Sequence, residues 1–384
     1  MKTTSKSTIA LALLVCNTLG VSAATLNDLK DTEVTIGGYL KADLMFSNFS
    51  EGAPANNSPG RHFVAPGAFY GSDRSNTVVD FHARQSRFNI GASNTVVGHK
   101  VSGFYELDFL LHDDGNEIVS NSYSPRMRHL YVTFDDWLFG QTWTTILNLK
   151  SLPEHLDFLG VPDGTIFTRQ TMVRYSTDNW TFALENPVST FTNYNTGARI
   201  TPDSNSIPDV HIRYDFKPSF GSLSLGAVLS QLDYDQANID ESEFAWAVSA
   251  AGYINIPSNS DEFRFQLNVG EGMGRYFGLN FANGAVVNDG KLETISNLSG
   301  FVSYRHWWNK EWRSNITISG VKADYDLRPI TPVNESSITY NINLLYSPFK
   351  PVTLGVEFIH SENKRTDDYK VELDRVQMSV KYNF

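Results

Sequence analysis

The chain has 384 residues, of which 13% are aromatic, with a formal net charge of -11 and one cysteine. That acidic balance argues against nucleic acid as a partner. Mean hydropathy is -0.27, and beyond the N-terminus no apolar run reaches the roughly 18 residues of a membrane-spanning helix.

Residues 1–24 read as a secretory signal peptide. Lys2 and Lys6 precede a short apolar core, Ile9 to Val15, and small residues offer cleavage near Ala23 or Ala24. A lipoprotein signal ending at Cys16 would need a small residue where Val15 stands. Cleavage removes the lone cysteine, so no disulfide staples the mature chain and stability must come from size or from lipid. Residues 25–384 show no internal linker and read as a single domain.

From about Glu33 onward the chain alternates apolar with small or polar residues. "KVSGFYELDFLL" carries Val101, Tyr105, Leu107, Phe109 and Leu111 on one parity. "SLSLGAVL", "EFAWAVSA", "EFRFQLNV" and "SITYNINLLY" repeat the pattern, and "VQMSVKYNF" ends it on Phe384. Connections alternate between short turns and long loops, the latter at Ser47–Thr77, His112–Ser124, Asn148–Thr168, Asn186–Pro208 and Gly274–Glu293. This rhythm predicts an all-β fold, a transmembrane antiparallel barrel of sixteen strands in the outer membrane. An even count lets the first and last strands close on each other, leaving no open edge in lipid.

Basic residues gather in the first half. In "DFHARQSRFNI", Phe81 and Phe88 have opposite parity, so a bulge near Gln85 and Ser86 is expected to turn both Arg84 and Arg87 into the lumen. "SPRMRHLYVTF" adds Arg126 and Arg128, whose parity matches that of Leu130 and leaves their facing open. Arg169, Arg174 and Arg213 follow on later strands, the last two on the lumen parity. Guanidinium groups on successive strands would form a ladder that orients organic anions. The plainer alternative pairs each with an acid such as Asp43, Asp80, Glu106 or Asp108.

"LNLKSLPEHLDFLGVPDGTIFT", Leu147 to Thr168, is too apolar to hang in water. It is expected to fold into the barrel as a constriction, with Glu154, His155, Asp157 and Asp163 placed to face the ladder. A surface loop covered by a neighbouring subunit is the alternative. Catalytic patterns are lacking: His82, His129 and His155 have no nucleophile or metal-ligand spacing beside them, and no cofactor is implied. "GEGMGR", Gly270 to Arg275, matches a phosphate loop only in its glycines.

The ordered run "DFHARQSRFNI", "GNEIVSNSYSPRMRHLYVTF", "LFGQTWTT" and "LPEHLDFLGVPDGTIFTRQTMVRYS" resembles the DcaP-like outer-membrane porins of Gram-negative bacteria, over about Gly37 to Asn195. The resemblance implies a homotrimeric, sixteen-stranded porin for small organic anions, dicarboxylates above all. It also implies a constricting third loop at Leu147–Thr168 and pore arginines at Arg84, Arg87, Arg126, Arg128, Arg169 and Arg174. Phe384 would serve the barrel-insertion machinery. One departure is visible: some members carry a helical N-terminal extension, whereas only Thr25 to Thr32 precede the first strand here.

The sequence therefore reads as a passive diffusion channel for small organic anions, surrounded by outer-membrane lipid. Channels for neutral or acidic oligosaccharides and a non-conducting adhesin or structural barrel are the alternatives. An outer-membrane lipid hydrolase would need a serine and histidine on the outer wall, and none stands out.

Overall fold

The computed structural model describes residues 31–384 apart from 57, 69–73, 111–119, 121, 203, 237–238 and 258–259. The expected signal peptide lies outside the described residues.

Sixteen antiparallel strands close into one barrel. They are β1 (Glu33–Phe49), β2 (Asn76–His82 continued by Arg87–Val96), β3 (His99–Asp108), β4 (Arg126–Phe134), β5 (Trp137–Trp143), β6 (Arg169–Ser176), β7 (Trp180–Glu185) and β8 (Asp209–Phe216). The second half comprises β9 (Gly221–Gln236), β10 (Ile239–Asn255), β11 (Glu262–Glu271), β12 (Ser296–Trp307), β13 (Trp312–Asp324), β14 (Asn334–Phe349), β15 (Val352–Arg365) and β16 (Lys370–Asn383). Loops L1 to L8 join the strands in chain order at one rim, L1 spanning residues 50–75, L4 186–208 and L6 272–295, and short turns join them at the other.

Closure is made by β16 against β1, in register from Tyr39 opposite Asn383 to Phe49 opposite Leu373. Phe384 completes it by exchanging backbone hydrogen bonds with Gly38 at 3.2 and 3.3 Å. The apolar end of the sequence is thus a paired strand. Without an edge, every strand satisfies its backbone within the wall.

The two faces are inverted relative to a water-soluble protein. Leu267, Ile316, Ile342, Phe358 and Met378 point outward and exposed, while Gln266, Asn268, Thr317, Asn341 and Gln377 point into the lumen and are buried. Only lipid makes such an arrangement favourable, because apolar surface left in water costs roughly 25 cal/mol per Å².

Two irregularities set the arginine facings. Between the halves of β2, Ala83 to Ser86 form a turn closed by the Ser86 amide donating to the Ala83 carbonyl at 3.1 Å. Phe81 and Phe88 consequently both face out although their parity differs, and Arg84 is buried inside. In β4 a register shift opposite Glu106 and Leu107 lets Met127 and Leu130 face lipid while Arg128 and His129 both turn in. The sequence alone left that second facing open.

Two of the long connections contain a sheet of their own. Phe191–Asn193 and Arg199–Ile200 of L4 join Ala285–Asn288 and Lys291–Thr294 of L6. Phe191, Tyr276, Phe277, Val286 and Ile295 pack beneath it as an apolar core inside the loop-side mouth.

Candidate functional site

L3, residues 144–168, folds into the barrel. Its first half is hung from the wall by arginines donating to its backbone. Arg213 Nη1 reaches the carbonyls of Thr145 and Leu147 at 2.7 and 3.1 Å, and Arg264 Nη1 reaches those of Lys150 and Leu152 at 2.8 and 2.7 Å. Arg174 Nε donates to Thr145 Oγ1 at 2.9 Å, and its Nη2 to the Trp143 carbonyl. Arg213 also pairs with Asp215 at 3.1 Å. Both arginines assigned to the ladder by parity are thus engaged at the root of the loop, Arg174 by Thr145 and Trp143 and Arg213 by the loop carbonyls and Asp215.

The acidic residues of L3 face away from the first-half arginines, contrary to expectation. Glu154 grips Arg313 of β13 with both carboxylate oxygens, at 2.6 and 2.5 Å. His155 Nδ1 lies 2.9 Å from Glu357 of β15, which also accepts the amides of Leu156 and Asp157 at 3.0 Å each. Asp157 accepts the Val64 amide at 3.0 Å and stands 4.0 Å from Arg375 of β16. Asp163, wholly buried, accepts the Thr339 hydroxyl of β14 at 2.5 Å. Burial, opposed by the Thr339 hydroxyl, pushes its carboxyl up to about 7. The physical reason for this facing is anchorage: the loop's apolar residues are held inside only if its polar ones find partners on the far wall.

Trp143, at the end of β5, and Phe158 of L3 instead meet the ladder. Arg128 lies over Trp143 and Phe158, at 5.6 and 5.5 Å from the ring centroids, and Arg169 lies over Trp143 at 4.9 Å. Phe167 packs on Trp143 with centroids 4.5 Å apart.

On the wall, Arg126 forks onto Asp108 at 2.9 and 2.8 Å, and Arg128 bridges Glu106 at 2.8 Å and Asp108 at 2.7 Å. Arg87 stands 3.5 Å from Glu106. Arg84 lies over the Tyr123 ring at 3.8 Å. Among the described residues, Arg169 and Arg174 have no carboxylate within ion-pair distance. Asp43 and Asp80, the other expected partners, are taken by Lys41 and Arg61 at 3.0 and 2.8 Å.

Cavities flank L3. One, of about 550 Å³, lies between L1, L3 and L6 and is lined by Arg126, Arg169, Arg199 and Arg275. The other, of about 620 Å³, opens toward the short-turn rim, where Lys41, Lys310, Arg313, Lys350 and Lys381 outnumber Glu154 and Glu311. Arg199 and Arg275 were not foreseen, since they sit on L4 and L6 where no strand periodicity assigns a facing.

A closed wall with a lipid-facing exterior, a polar lumen and an inward third loop defines an outer-membrane porin, a transport protein. The family description "DcaP outer membrane protein" matches residues 67–384, and the chain belongs to that family. The crystal structure of the outer membrane channel DcaP of Acinetobacter baumannii is 21% identical and superposes with a TM-score of 0.76, covering 92% of this chain and 97% of that one. OmpT of Vibrio cholerae in its trimer form is 12% identical with a TM-score of 0.54, over 92% and 100% of the two chains. An anion-selective porin from Comamonas acidovorans is 10% identical with a TM-score of 0.53, over 92% and 100%. At these identities the likeness is one of fold. No match emerged among curated proteins.

Proposed function

We infer that this porin passes small organic anions by passive diffusion, with dicarboxylates as the type substrate. One observation carries the reading: Arg128 and Arg169 lie over Trp143 with Arg87 and Arg126 beside them, and among the described residues the four have only Glu106 and Asp108 as carboxylate partners. The cluster keeps an excess of positive charge beside the constriction. A carboxylate would be attracted there and exchange two-pronged contacts along the wall, weakly enough to leave. The basic basin beyond L3 continues that path.

The anion-selective Comamonas porin and the trimer form of Vibrio OmpT, which share the fold, support anion preference and a homotrimer formed through the barrel wall. Phe384, paired at the short-turn rim, is where barrel-insertion machinery would engage. Phe63, Phe158 and Phe167, all lining the loop-side cavity, favour a second reading, a channel for acidic oligosaccharides whose rings stack on them. Block of KCl current by succinate separates the two. Succinate block that weakens in Arg169→Gln supports the dicarboxylate reading; block by a uronic-acid disaccharide with none by succinate would support the second.

A further inference from the structure

The GEGMGR stretch, Gly270 to Arg275, leads into L6, which turns inward. At Gly274 a Cβ would lie 2.3 Å from the carbonyl oxygens of both Ala282 and Asn283, so no side chain fits. Arg275 Nη2 donates to Asp209 Oδ2 and to the Asn186 carbonyl, both at 3.0 Å. The Tyr276 hydroxyl donates to Asp209 at 2.6 Å, and Phe277 pairs with Ile166 of L3 in a single bridge. L6 is therefore pinned to both β8 and the constriction loop.

Next comes a strained turn. Gly278, Leu279 and Asn280 have φ of 55°, 62° and 60°, three successive left-handed residues. Leucine in that region is unfavourable and persists only where the surroundings impose it. Here the turn performs two tasks. Leu279 joins the lining of the 550 Å³ cavity, and the Asn280 carbonyl accepts from Arg199 Nη2 at 2.8 Å while Asn283 accepts from Arg199 Nε at 2.8 Å.

Arg199 and Arg275 of the loops are thereby set in one cavity with Arg126 and Arg169 of the wall, and among the described residues lining it none is acidic. Asp108 and Asp209, which pair with Arg126 and Arg275, lie behind the lining. Phe158 supplies the middle of an apolar side, with Phe63 and Phe167 at centroid distances of 5.6 and 6.4 Å.

We propose that this loop-side cavity is a binding site for organic anions with a planar apolar body, the left-handed turn at Gly278–Asn280 seating Arg199 for the purpose. Guanidinium forks match carboxylates and sulfonates, and the volume suits a small-molecule site. Asp108 and Asp209 offset Arg126 and Arg275, whereas among the described residues Arg169 and Arg199 have no carboxylate in ion-pair range, and a bound anion offsets that surplus. The aromatic side removes the ligand's body from water. The proposal rests on the anion-channel reading and adds the chemistry of the ligand's body.

The test uses the mature full-length porin in planar bilayers, with benzoate and acetate as blockers of KCl current. Benzoate should half-block at about tenfold lower concentration than acetate, equivalent to about 1.4 kcal/mol. Arg199→Gln should bring the two acids to within about twofold while the KCl reversal potential keeps its sign. Leu279→Asn removes no charge and tolerates the left-handed backbone; it should weaken benzoate block and spare acetate. Equal block by both acids in the unmodified porin, or an undiminished benzoate advantage in both variants, would overturn the site alone. A reversal potential favouring cations would overturn the underlying anion reading as well.

Discussion

Glu154 on L3 and Arg313 on β13 form a two-pronged ion pair at 2.6 and 2.5 Å, 159 residues apart in sequence. Arg313 is also steadied by Ser347 at 3.0 Å, and Arg305 stands 4.0 Å from the same carboxylate. Both arginines hold the Glu154 carboxyl, which is only partly buried, below the usual range. This pair fastens the constriction to the far wall and also neutralises positive charge beside the inner basin.

Glu154→Gln should therefore act twice. Docking of L3 should weaken by about 1 kcal/mol, the upper end for a partly exposed pair, and anion preference should rise as Arg313 and Arg305 lose their carboxylate. Hydrogen exchange across residues 152–158, read beside reversal potentials, would show both effects; unchanged selectivity would remove Glu154 from the pore's charge balance.

Gly164 marks where L3 touches the wall most closely. A Cβ there would lie 2.3 Å from the Gly300 carbonyl oxygen and 2.5 Å from its carbon, both backbone atoms that cannot rotate away. Gly164→Ala should cost about 1–3 kcal/mol in docking and increase single-channel conductance as the loop tip lifts. Wild-type conductance in this variant would show that the tip does not narrow the pore.

Asp163 makes loop docking depend on pH. Its carboxyl titrates near 7 when docked against an ordinary value of 3.8, so the docked loop binds its proton more tightly than the free loop. Docking is strongest below pH 4 and weakens as pH rises from about 4 to 7. Asp157 adds to the same trend, since burial raises its carboxyl too. Protection of residues 160–166, corrected for intrinsic exchange, should fall across that window, and Asp163→Asn should flatten the fall. An identical pH profile in the variant would rule out Asp163 as the cause.

Among the described residues Arg169 has no carboxylate partner, and its charge stands beside the constriction. A unit charge about 6 Å from a passing anion, at an effective dielectric constant of about 20, is worth roughly 3 kcal/mol before screening by salt. Arg169→Gln should lower the anion-to-cation permeability ratio several-fold with little change in conductance. Arg213→Gln is expected to differ: that side chain holds the Thr145 and Leu147 carbonyls, so its loss should disturb the loop before it disturbs selectivity.

Much of the wall was legible because lipid enforces strict alternation. Phe81 and Phe88 disclosed the break in β2, as their shared exposure demands a parity switch between them. The matching shift in β4 was hidden, because Arg126, Arg128, Leu130 and Val132 share one parity and nothing local says where it changes. Inward folding of L3 followed from its apolar content. The direction of its acids did not, since Glu154, His155, Asp157 and Asp163 find Arg313, Glu357, Arg375 and Thr339 more than 150 residues later. Arg199 and Arg275 were silent for another reason: loops have no period, and their placement depends on a left-handed turn visible only in three dimensions.

Reversal potential across a planar bilayer under a KCl gradient tests the central claim most directly. An excess of guanidinium over carboxylate at the constriction predicts a potential displaced toward that of chloride, reduced in Arg169→Gln. A potential displaced toward that of potassium would mean that Glu106, Asp108 and the L3 acids govern the pore, and would contradict the assignment of organic anions while leaving the barrel as described.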